Sequence, residues 1–139
     1  MDDLIDADSL FSQLLDALEI PDATIAVDLD VDSFDDVPFV THHSIIAQAG
    51  NGPGLWSALL TVNIFLEVTD DTFGVVQALY RGIHSWDDPD KGIVPEVGAV
   101  ETVERDVEAF TRRGPSVDLN AKSVTQYTGS FELTIRNHH

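Results

Sequence analysis

The sequence predicts one α+β domain: an antiparallel or mixed β-sheet with an N-terminal helix and a central helix packed on one face. Three stretches carry this reading. In residues 57–69 the even positions Ala58, Leu60, Val62, Ile64, Leu66 and Val68 are all apolar, while Thr61, Asn63, Glu67 and Thr69 fall on the odd ones. Side chains alternate across a strand, so this is a core strand with one mixed face. Residues 124–136 repeat the pattern, with Tyr127, Gly129, Phe131, Leu133 and Ile135 opposite Gln126, Thr128, Ser130, Glu132, Thr134 and Arg136. Between them the spacing changes to three and four: Phe73, Val76, Leu79 or Tyr80, Ile83 and Trp86 mark a half-buried helix. Runs of strands around two helices make an α+β layer, and the two long strands are expected to pair at its centre.

Residues 1–20 open the chain as a helix. Asp8 or Ser9 is placed to cap it, Leu10 or Phe11, Leu14, Leu15 and Leu18 form its stripe, and Pro21 ends it. Asp16 and Glu19 lie near its C-terminal end, where the helix dipole disfavours them, so fraying is expected there. Residues 24–31 alternate as a half-exposed edge strand and run into an acidic loop at 33–38. The spacing Asp28-x-Asp30-x-Asp32 is that of a calcium loop, but Ser33 and Phe39 stand where glycine and a bidentate glutamate are needed. Residues 39–49 read as a strand whose neighbours His42 and His43 point to opposite faces and cannot share a metal. The glycine-rich 50–54 segment is a hairpin turn into the central strand. No Lys-Ser/Thr follows it, so it is not a phosphate loop.

After the central strand, Asp71 is expected to accept a backbone N–H at the start of the second helix. Leu59 and Phe65 interrupt the polar face of that strand, which implies a partial cover. Residues 86–95 form a loop. Residues 97–113 are ambiguous: Val100, Val103, Val107 and Phe110 have helical spacing, yet the segment is rich in Val and Thr, and two strand halves around a bulge give the same pattern. A strand is the preferred reading. Gly114-Pro115 stops it, and 116–122 is a polar loop.

The 139 residues suit one domain with one core: residues 1–20 as helix and 39–136 as the sheet-and-helix body. No cysteine is present, which removes disulfides, thiolate metal sites and thiol nucleophiles. There is no apolar run long enough for a membrane span and no basic, apolar leader at the N-terminus, so no membrane partner and a cytoplasmic origin are expected. The formal net charge of −18 argues against gripping nucleic acid. No nucleophile-elbow, zinc-protease or phosphate-loop pattern occurs, and His84 falls at the margin of the helix stripe. The chain is therefore read as a non-enzyme with no cofactor and no metal ligands.

Three stretches together resemble a known family. They are residues 73–86 (Phe73 to Trp86), 98–103 (Gly98-Ala99-Val100-Glu101-Thr102-Val103) and the strand Gln126-Tyr127-x-Gly129-x-Phe131-x-Leu133-x-Ile135-Arg136. In this order they resemble the tail terminator (head-to-tail joining, gpU-like) proteins of long-tailed bacteriophages, especially those infecting actinobacteria. The likeness spans roughly two-thirds of the chain, from about Val40 to Asn137.

The resemblance implies a ring, typically a hexamer, that caps the tail tube and stops its polymerisation. It implies the tube protein and a head-side connector as partners, DNA passing through the bore without specific binding, and assembly in the host cytoplasm into the virion. An acidic bore suits a DNA conduit, because it repels phosphate. Asp28, Asp30, Asp32, Asp87 and Asp88 are the candidate acidic lumen or surface residues. Trp56, Leu59, Phe65 and Arg81 are the candidate subunit contacts. Rival readings are another neck component (a head-closure or tail-completion protein), a soluble enzyme with a cation on its aspartate loops, and an acidic module that blocks a basic partner.

Overall fold

The computed structural model describes residues 4–20, 24–26, 38–49, 54–69, 71–119 and 122–137. Helix α1 (Ala7–Asp16) is followed by strands β1 (Thr24–Ala26), β2 (Phe39–Gln48) and β3 (Leu55–Glu67). Helix α2 (Thr72–His84) comes next and runs into a 3₁₀ turn at Ser85–Asp87. Strands β4 (Ile93–Val94), β5 (Gly98–Arg112), β6 (Val117–Leu119) and β7 (Lys122–Arg136) complete the chain. The fold is mixed α+β: the described residues form two α-helices and one curled, mostly antiparallel sheet in the order β1-β2-β3-β7-β5-β4, with β6 also on β7. Among the described strands only the short edge strand β1 runs parallel to its neighbour.

The centre is the β3–β7 pair, in register from Leu55 opposite Arg136 to Glu67 opposite Val124. This is the pairing the two alternating stretches predict. Ala58, Leu60, Val62, Ile64 and Leu66 face the core with Phe131, Leu133 and Ile135, all buried. Both helices cover this face. Leu10, Phe11, Leu14 and Leu15 descend from α1, and Val76, Leu79 and Ile83 from α2. The ends of the helices also meet: the Phe11 ring of α1 lies 6.0 Å from that of Trp86 in the 3₁₀ turn, and Gly82 of α2 leaves room for Leu18 from the turn after α1.

Several local expectations are corrected. Helix α1 is shorter than the expected 1–20, and its cap is Asp6, whose Oδ1 accepts the Ser9 N–H at 3.0 Å. It stops at Asp16, and Glu19 takes a positive φ of 54°, so the last acidic turn does not continue the helix. Asp71 makes no side-chain cap bond on α2. Thr72 does the local work instead: its hydroxyl accepts the Thr69 N–H and donates to the Thr69 carbonyl. Phe73 leaves the stripe and is 66% exposed, because the stripe begins one turn later at Val76.

The ambiguous 97–113 segment is one strand, β5, carrying four register shifts against β7. Each bulge adds a residue on β5 and turns the two-residue period into three or four. The positions that meet the helix side are Val100, Val103, Asp106 and Phe110, while Val107 is exposed. Helical spacing in the sequence is thus the signature of a serially bulged strand. Gly129 on β7 matters here: a Cβ there would lie 3.1 Å from the Phe110 ring. Of the first predicted edge strand only Thr24–Ala26 is described; Asp28, Asp30 and Asp32 lie outside the described residues, as does most of the 50–54 turn.

Candidate interaction surfaces

Two polar clusters join helix to sheet. In the first, Asp106 on β5 accepts the Tyr80 hydroxyl at 2.5 Å on one carboxylate oxygen and His84 Nε2–H at 2.6 Å on the other. Tyr80 and His84 sit one turn apart on α2, so a single bulge-oriented carboxylate serves both. The bond to Asp106, together with burial and its charge, holds the Tyr80 phenol above its ordinary value of 10.0. In the second cluster, His42 on β2 is fully buried and its Nε2 lies 2.7 Å from Ser12 Oγ on α1. Burial lowers the His42 pKa below 6.5, opposed by the Asp8 charge and assisted by His43. His42 Nδ1 has no hydrogen-bond partner among the described residues. Among the described residues no carboxylate orients this imidazole, and the His42–Ser12 contact pins α1 to the sheet.

Among the described residues no group of three His, Asp or Glu side chains is placed to hold a metal ion. No described helix is long and apolar enough to cross a membrane. The aspartate loop after α2 has a local job. Asp87 Oδ1 accepts the Val103 backbone N–H on β5, and Asp88 Oδ1 accepts the Asp90 N–H at 3.0 Å. Both residues remain exposed at the surface, each tied by one oxygen to the turn or the neighbouring strand.

The sheet face away from the helices has two zones. At one end Phe39, Thr41, Phe65 and Thr128 are buried, and Asn63 Oδ1 accepts the Thr128 hydroxyl at 2.7 Å and the Gln126 amide at 3.1 Å. The other end is open. Ile45 and Leu59 are cross-strand partners there, 68% and 37% exposed, beside the Glu132–Arg105 ion pair.

The four candidate contact residues are thus separated. Trp56 is corrected to a core residue: it shares parity with Ala58, faces the helices and is 8% exposed. Phe65 lies in the covered zone beside the 113–117 turn. Leu59 lies on the open zone, and Arg81 on the outer face of α2. Sequence reasoning missed both helix-to-sheet pins; the available signal was Tyr80 and His84, two polar-tipped rings four residues apart at the stripe margin. Compared with protein-family models and with curated proteins, the chain matches none.

Proposed function

We propose that this chain is a tail terminator of a long-tailed bacteriophage. In this reading a ring of copies caps the tail tube, ends its growth and presents a face to the head-side connector, with DNA passing through the bore. The observation that supports it is spatial. The three stretches that carry the resemblance form one packed unit. Helix α2 lies on β7 through Tyr80 and His84 against Phe131, with ring centroids 6.3 and 6.1 Å apart, and on β5 through Asp106. Strand β5 in turn holds β7 through Phe110 and Phe131 at 5.5 Å. A two-helix, one-sheet subunit of this size is of the kind that such a ring uses, and −18 per copy gives the bore a charge that does not bind phosphate.

The test is tube growth. Tube protein from the phage that encodes this chain is allowed to polymerise while light scattering is followed. Substoichiometric amounts of the chain should arrest growth and leave a plateau set by the number of ends. Unchanged scattering over a wide range of ratios refutes the reading for that partner. Another neck component, or an acidic module that blocks a basic partner, shares the charge but does not arrest growth.

A further inference from the structure

Charge is divided along the chain. Arg81 is the first Lys or Arg in the sequence, so everything before it is acidic or neutral. After it the cations are largely engaged. Arg105 pairs with Glu132, Arg113 with Glu108 and Arg136 with Glu101, while Arg112 donates to Thr125 and Ser116. Among the described residues Arg81 is the one arginine with neither a carboxylate nor a hydroxyl partner. It stands on a helix, Thr72–His84, that has no acidic residue in a chain with 25 of them. The outer face of that helix presents Phe73, Gly74, Ala78 and Arg81 to solvent.

We propose that this face docks on the acidic outer face of α1 (Asp8 and Asp16) and the turn that follows it (Glu19) in a second copy of the chain. Charge decides the occupant. Two bodies of −18 repel wherever acid meets acid; this face has a carboxylate only at its N-terminal end, where Asp71 lies against Gly74, and further along it carries the unneutralised Arg81 guanidinium, so the Arg81 end is where a second copy approaches with the least cost. Charge also decides the symmetry. A two-fold contact of α2 on itself would set Arg81 against Arg81, whereas α2 on α1 sets Arg81 against carboxylates on a helix that has no cation of its own. The contact is therefore head-to-tail, the kind that closes into rings. The closure rests on the ring proposed above. A few residues on one helix face fall far short of the ~800 Å² per partner of a stable interface, so the contact is weak between free copies.

The absence of cysteine makes the test clean. A spin label is placed on Ala17→Cys, exposed at the end of α1, and that copy is mixed with an unlabelled, ¹⁵N-enriched copy. The mixture is concentrated to the range of a millimolar dissociation constant. The expected result is selective broadening of the α2 amides from Phe73 to Arg81 in the ¹⁵N copy. Raising salt to about 1 M, where the Debye length is about 3 Å, should abolish it, and so should Arg81→Glu in that copy. Uniform broadening, none, or broadening that survives Arg81→Glu overturns the proposal. If the copies show no contact but Arg81→Glu abolishes growth arrest, the face belongs to the tube protein. If the contact is found without growth arrest, the contact stands and the terminator reading fails.

Discussion

Replacing Asp106 with alanine should loosen α2 from β5 without touching the core. Asp106 accepts two hydrogen bonds, from Tyr80 at 2.5 Å and His84 at 2.6 Å. A bond to a charged acceptor contributes about 1.5–3 kcal/mol net when well shielded. Here the His84 and Asp106 side chains are 35% and 26% exposed, so water can replace part of what is lost. Halving the sum gives about 2 kcal/mol for Asp106→Ala, or roughly 6–8 °C in Tm for a chain of this length. Urea unfolding followed by tryptophan fluorescence suits the measurement, because Trp86 and Trp56 are both buried. Tyr80→Phe alone should cost about 1 kcal/mol, and close to nothing once Asp106 is already alanine. The phenol supplies a second readout. In the parent Tyr80 titrates above 10.0, and in Asp106→Ala it should return towards that value. Because the folded state holds this proton more tightly, the Tyr80 contribution to stability is lost as pH rises above 10.0. A loss under about 0.5 kcal/mol, or equal Tyr80→Phe effects in both backgrounds, would refute the account of this pin.

Other outcomes follow from the same geometry. The folded state holds His42 neutral, so the unfolded chain binds the extra proton first; stability should fall as pH drops below 6.5 towards the lowered folded value. His42→Gln should flatten that slope in urea titrations between pH 7 and the onset of carboxylate protonation, ~5. An unchanged slope would show that the ring is not held neutral. Gly92→Ala should destabilise the turn after α2 by about 1–3 kcal/mol, because the new Cβ would fall 2.3 Å from the Trp86 carbonyl oxygen, which is backbone and cannot swing away. Calorimetry showing an unshifted Tm would contradict that geometry.

The sheet was legible where a strand has one core face and regular pairing. Alternation in 57–69 and 124–136 identified the central pair because nothing interrupts their register. Strand β5 was harder for a physical reason: its four bulges convert alternation into a spacing that mimics a helix, and one helix-facing position, Asp106, is a charge. An acidic residue in a chain of −18 reads as surface until the partner hydroxyl and imidazole are seen. Trp56 was misassigned by parity, since it belongs with the even, core-facing residues of β3. The α1 cap was misplaced because Asp6, Asp8 and Ser9 are all competent, and sequence alone does not say which carboxylate meets the free N–H groups. Arg81 was singled out, but its isolation became visible only when the other arginines had found their partners.

The most direct measurement of the central claim is negative-stain microscopy of growing tail tubes, with and without this chain. The expected result is tubes of limited length, each with a ring at one end, and no rings along the shaft. Tubes that grow to the same length with bare ends on both sides would contradict the terminator reading.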